Sequence, residues 1–142
     1  MPDKNNIKTL LAFDYGTQNI GVAVAQTITK TANVLPGLKA KDGIPNWDQI
    51  EKLLTEYKPD LVLVGLPLNM DGSESELSVR ARKFTNRIHG RFGVAIEMVD
   101  ERLSSFAAKG EVMGRHGSRD YKNNPVDSIA ARILLESWLT SD

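Results

Sequence analysis

Apolar residues open the chain in two closely spaced runs, IKTLLAFD (7–14) and NIGVAVAQ (19–26), separated by Tyr15, Gly16, Thr17 and Gln18. In both runs apolar residues fill positions of either parity, the pattern of strands buried on two faces, and the short connection predicts a hairpin. TANVLPGLKA (31–40) is a weaker strand, and Pro36, which has no amide hydrogen to donate, predicts an edge position or a bend. The period then changes. In IPNWDQIEKLLTEYKPD, residues Trp47, Ile50, Leu53, Leu54 and Tyr57 recur at helical spacing, with Asn46 placed to cap the first turn and Pro59 to stop the last. DLVLVGLP returns to a short buried strand ending at Gly65 and Pro67, and LNMDGSESE is a loop feeding a helix from about Glu74 to His89. VAIEMVD is a fifth strand. Beyond it, SSFAAKGEVM predicts a helix capped by Ser104, GRHGSRDYKNN a polar loop, and PVDSIAARILLESWL a last helix with Asn124 as cap and Pro125 in its first turn.

This succession predicts an α/β fold: a five-stranded mixed sheet with helices packed on its faces, as a single domain over residues 1–142. Composition narrows the chemistry. The chain has no cysteine, and His89 and His116 are its two histidines, which excludes disulfides and zinc sites built from soft ligands. Any metal would be hard and oxygen-bound. No apolar run is long enough to span a bilayer, and MPDKNNIKTL lacks the basic-then-apolar order of a signal peptide, so a cytoplasmic protein without a membrane partner is expected. Net charge is zero, but unevenly spread. Between Val79 and Lys122 ten basic residues face five acidic ones, and the remainder of the chain carries the opposite surplus, a distribution suited to a polyanion-binding face.

Acidic residues fall where such a sheet would expose a crevice. Asp14 ends the first strand, where it either opens a turn or projects a carboxylate from the sheet. Asp100 and Glu101 close the fifth strand, and alternation sends one to each face without choosing between them. Asp127 lies in the first turn of the last helix. At about 100° per residue, Val126, Ala130, Ile133 and Leu134 share an arc, Ser128, Arg132 and Glu136 lie opposite, and Asp127 falls inside the apolar arc beside Ala131 and Leu134. The helix dipole would favour an acid there without turning it inward. An inward carboxylate has to be paired, hydrogen-bonded or metal-bound to offset desolvation. Carboxylates converging at one sheet edge repel one another unless a cation lies among them. Mg²⁺ (or Mn²⁺) suits that place, because it takes carboxylate oxygens, keeps several waters and accepts phosphate oxygens. Two such ions cleave phosphodiesters by activating a water and stabilising the leaving oxygen.

The segments LLAFDYGTQNIGVAVAQ, VGLPLNMDG, ARKFTNRIHGRFG, DERLSS and VDSIAARILLESWL resemble the successive motifs of the YqgF/RuvX family, from about Leu10 to Trp138. These are bacterial proteins with an RNase H-like fold, described as Holliday junction resolvases or pre-16S rRNA nucleases. The resemblance implies that Asp14, Glu101 and Asp127 are the catalytic, metal-binding carboxylates. It carries two departures. The better-known resolvase relatives have an acid after the fourth strand, where this chain has VGLPLN with Gly65, so the acid after the fifth strand is the candidate replacement. Many members have a lysine just before the valine of the last motif, where this chain has Pro125, leaving Lys122 as the nearest basic residue for a phosphate contact.

On the second helix Leu77, Ala81, Phe84 and Ile88 form an apolar seam, and Arg80, Lys83, Arg87 and Arg91 form a parallel basic stripe without interleaved aromatics. Arg80, Lys83, Arg87, Arg102, Arg115, Arg119 and Lys122 are the candidate nucleic-acid contacts. Trp47 and Trp138 occupy core spacing. Asp14, Gly16 and Thr17 also resemble the first phosphate loop of actin-like and sugar-kinase-like proteins, but those enclose a nucleotide between two domains and this chain has length for one. A non-catalytic RNA-binding factor is a third reading, opposed by the three acids. With 6% aromatic residues and narrow apolar seams, little is left for a self-complementary patch, so a monomer is expected. A monomer makes one cut. That favours a precursor rRNA over branched DNA, whose symmetric resolution needs two sites.

Overall fold

The structure, a computed structural model, describes residues 6–101 and 126–140. Its elements in chain order are β1 (Thr9–Asp14), β2 (Asn19–Gln26), β3 (Thr31–Lys41), β4 (Ile44–Pro45), α1 (Trp47–Tyr57), β5 (Leu61–Leu66), α2 (Glu76–Phe92), β6 (Ile96–Asp100) and α3 (Val126–Thr140). The sheet order is β4-β3-β2-β1-β5-β6. β1 and β2 form the expected antiparallel hairpin, while β1, β5 and β6 run parallel to one another. The sheet is thus mixed, as the pattern predicts, with six strands instead of five. The addition is β4, two residues that pair with Ala40 and Lys41 and are too short to show a period. Pro36 disturbs its strand as anticipated. Ile20 pairs with Leu38 but Val22 pairs with Leu35, so Pro36 and Gly37 bulge opposite the single residue Gly21.

Helix ends follow local chemistry. Asn46 Oδ1 accepts the Asp48 amide at 2.9 Å, and α1 ends at Lys58, which is left-handed with φ 45°. The N-cap of α2 is Ser75, in a reciprocal box with Ser78: each hydroxyl accepts the other residue's backbone N–H. α2 runs to Phe92, three residues beyond the predicted end at His89, and Gly93, with φ 69°, closes it. The predicted helix after Ser104, the loop 114–124 and the cap at Asn124 and Pro125 lie outside the described residues.

Alternation along the buried strands divides the core into two layers. Leu11, Phe13, Val22, Val24, Val62 and Val64 pack with Ile50 and Leu54 of α1 and with Ala81, Phe84 and Ile88 of α2, which with the partly buried Leu77 make up the predicted seam. Leu10, Ala12, Ala23, Ala25, Leu61 and Leu63 pack with Ala131, Leu134 and Leu135 of α3. Each large side chain so buried contributes about 1.5–3 kcal/mol. Trp47 packs against the first layer and Trp138 against the second, the packing roles assigned to them. One expectation fails. Ser128, placed opposite the apolar arc, is fully buried. Its Oγ donates to Leu35 O at 3.0 Å and accepts the Val22 amide at 3.3 Å, so a polar side chain is drawn inward to satisfy backbone groups at the β2–β3 bulge.

Candidate active site

β1, β5 and β6 end together, and acids follow at the C-terminal ends of β1 and β6. Leu10 and Ala12 lie on the α3 side of β1, so two-residue periodicity puts Asp14 on that side and its neighbour Tyr15 on the other, where Tyr15 joins the α1/α2 layer. The same reasoning separates Asp100 from Glu101. Ile96 and Met98 pack into the α1/α2 layer and Val99 into the α3 layer. Asp100 therefore shares the α1/α2 side, and Glu101 shares the side of Asp14.

Gly65 makes room for Glu101. Phe13 pairs with Val64, so Asp14 and Gly65 stand side by side one step further along, and Gly65 pairs in turn with Val99. A Cβ built on Gly65 would overlap the Glu101 carboxyl group, Oε1 first. Gly65 thus leaves the space that the carboxyl group after the next strand occupies. Glu101 Oε1 is buried and finds no hydrogen-bond donor among the described residues. An ionised oxygen in that state is costly unless a cation completes it.

Asp127 belongs to the first turn of α3, and its side chain lies outside the described residues. The adjoining Ser128 locates that turn: it bonds Val22, which pairs with Phe13 in β1. The start of α3 therefore lies beside the end of β1 that carries Asp14. Among the described residues, no trio of His, Cys, Asp or Glu side chains forms a complete metal cage. Asp14 and Glu101 are two oxygen donors, one with an unmet buried oxygen, which fits a hard divalent ion and no soft one.

The basic candidates divide. Arg102, Arg115, Arg119 and Lys122 lie outside the described residues. Arg80, Lys83 and Arg87 are brought together, but on the α1/α2 side, away from the carboxylates. They line a cavity of about 290 Å³ with Tyr15, Ile44 and Trp47. The aromatic residues missing from the α2 stripe are supplied by other elements: Trp47 lies 6.1 Å from Phe84, Tyr15 lies 4.9 Å from it, and the Arg91 guanidinium sits 4.4 Å over the Trp47 ring. Tyr15 OH donates to Gly43 O at 2.8 Å. Burial pushes its pKa up, against the opposing fields of Arg80 and Arg87. Sequence reasoning missed Gly65 as the space for Glu101, Ser128 as the anchor of α3, and this cavity. Of the three, Gly65 alone left a local signal, a glycine closing a buried strand.

A mixed sheet with acids at the ends of the parallel strands β1 and β6, on either side of an acid-free β5, and a helix packed on one face defines a fold of the RNase H-like class. Two solved structures share it: Thermus thermophilus RuvC in complex with a Holliday junction substrate, with TM-score 0.60, 15% identity and coverage of 92% of this chain and 93% of that one, and the fowlpox virus resolvase with Holliday junction DNA, with TM-score 0.55, 15% identity and coverage of 94% and 99%. The chain belongs to the RuvX family, whose model, described as Holliday junction resolvase, matches residues 8–141. Relatives named "Putative pre-16S rRNA nuclease" include one from Pasteurella multocida, 59% identical over 92% of this chain and 93% of its own length, and one from Saccharophagus degradans, 63% identical over 92% of both.

Proposed function

We propose that this RuvX-family nuclease is a metal-dependent endonuclease that processes the 5′ end of pre-16S rRNA in the cytoplasm, acting as a monomer. The observation that carries the reading is the Glu101 carboxyl group lodged over Gly65, on the same side of the sheet as Asp14, with a buried oxygen that lacks a donor among the described residues. The names of the relatives at 59% and 63% identity support the substrate. Asp14 and Glu101 hold the metal from the ends of β1 and β6, and Asp127 completes the set from the first turn of α3. Mg²⁺ or Mn²⁺ bound there supplies an activated water and charge stabilisation for the leaving oxygen. Gly65 keeps the Glu101 carboxyl in place, and Ser128 fixes the turn that bears Asp127. Arg102, Arg115, Arg119 and Lys122 contact phosphates.

Cleavage of a pre-16S rRNA fragment and of a four-way DNA junction, compared side by side with Mg²⁺, Ca²⁺ and EDTA, tests the reading. One cut in the RNA with Mg²⁺, none in EDTA or with Ca²⁺, and its loss in Asp14→Asn, Glu101→Gln and Asp127→Asn are the expected results. Paired symmetric nicks in the junction by a dimer, with the RNA intact, would establish the resolvase activity of the structural neighbours instead. Full activity in EDTA would end the metal-dependent mechanism.

A further inference from the structure

The cavity on the α1/α2 side combines two features that packing alone does not require. Arg80, Lys83 and Arg87 project into it from one face of α2, and apart from Asp42 and the hydroxyl of Tyr15 its side chains are apolar, Ile44, Pro45 and Trp47 among them. Arg80 pairs with Asp42 at 3.4 Å, whereas Lys83 and Arg87 have no ion-pair partner among the described residues. Three cations thus face one carboxylate. Ile44 remains 58% exposed at the mouth, a branched apolar side chain held in solvent by a two-residue strand. A small inorganic anion would use the cations and leave that wall bare. An apolar ligand would bury two unpaired charges. An amphiphilic anion with a flat apolar part satisfies both, and about 290 Å³ lies at the lower end of small-molecule sites, which begin at about 300 Å³.

We infer that this cavity binds one nucleoside phosphate, with the phosphate on Arg80, Lys83 and Arg87 and the base against Ile44, Pro45 and Trp47. With Arg91 over the Trp47 ring and Phe84 beside it, the base would meet this wall through apolar contact with Ile44, Pro45 and the rest of the indole, which adds to what would otherwise be a purely electrostatic face. Tyr15 of the cavity and Asp14 of the acidic site are consecutive residues on opposite sides of the sheet. A single strand crossing the end of β1 therefore reaches both. In this respect the inference rests on the nuclease reading, although a free nucleotide offers the same chemistry.

Quenching of Trp47 fluorescence reads binding directly once Trp138→Phe has removed the other indole. Titration in EDTA with adenosine 5′-monophosphate, inorganic phosphate and a short single-stranded RNA, intact or abasic, separates the contributions. Saturable quenching by the nucleotide and the intact RNA is expected, with affinity about tenfold or more weaker for inorganic phosphate, for the abasic RNA and in Lys83→Glu and Ile44→Glu. Tighter binding of RNA identifies a substrate strand as the occupant, and tighter binding of the mononucleotide a free ligand. Absence of quenching, or affinities unchanged in both variants, overturns the inference. If a protein that still cuts RNA with Mg²⁺ shows no quenching, the cavity's assignment falls alone. If quenching persists and nothing is cut, the nuclease reading falls alone.

Discussion

Replacing Gly65 with alanine puts a methyl group where the Glu101 carboxyl lies, on a strand whose neighbours on both sides leave it nowhere to shift. The carboxyl moves instead, and a displacement of about 1 Å in a catalytic group costs about 10²-fold in rate. Single-turnover cleavage by Gly65→Ala should fall by at least that factor while its circular dichroism stays that of the parent. Glu101→Gln tests the buried oxygen differently. A neutral amide is less costly to bury than an unpaired carboxylate, so the metal-free variant should melt higher than the parent. The rise in melting temperature expected of the parent with Mg²⁺ should be absent from the variant. At this scale the sequence was only half legible. That Asp100 and Glu101 divide between two faces follows from strand geometry, but which goes where depends on Met98 and Val99 finding different core layers, and those layers are assembled from distant segments.

Elements supply the next level. α3 is registered against the sheet by Ser128, whose hydroxyl bridges β2 and β3 at the bulge. Ser128→Ala leaves a buried amide and a half-buried carbonyl short of a partner, a loss of about 1–3 kcal/mol that a urea melt measures directly. Near α2, Glu74 accepts from Arg82 Nε and from Ser78 Oγ, and these bonds hold its carboxyl below the ordinary 4.5. Its proton is bound more weakly in the folded state than in the unfolded one. The stabilisation is therefore complete above the ordinary value and is lost as pH falls through the lowered one. Glu74→Gln should lower the melting temperature at neutral pH, and the difference should close in strong acid. The elements themselves were well marked: the hairpin by its two apolar runs, α1 by Asn46, and the buried face of α2 by its seam. β4 and the inward turn of Ser128 were not, because one is two residues long and the other answers to backbone groups of β2 and β3.

At the scale of the whole molecule, the sheet keeps two clusters apart, Asp14 and Glu101 toward α3 and Arg80, Lys83 and Arg87 with aromatic residues toward α1 and α2. Binding of single-stranded RNA should accordingly weaken with salt, and the triple change of Arg80, Lys83 and Arg87 to alanine should flatten the slope of log affinity against log salt by about 0.7 for each phosphate that is no longer neutralised. An unchanged slope would show these residues to be bystanders to the polyanion. The fold class was legible because strand and helix periods are local, whereas the cavity was not, since Tyr15, Ile44, Trp47 and Lys83 meet only after folding. The docking of α3 also bears on when the protein can act during its own synthesis. α3 is the last of the described elements to leave the ribosome, and until it arrives Leu10, Ala12, Leu61 and Leu63 lack the cover that, among the described residues, α3 gives their side of the sheet, and the turn proposed to carry the third acid has yet to reach the end of β1. On the proposed assignment, a nascent chain is therefore a nuclease without a finished centre, held inactive beside the class of RNA it is proposed to cut until translation has delivered α3.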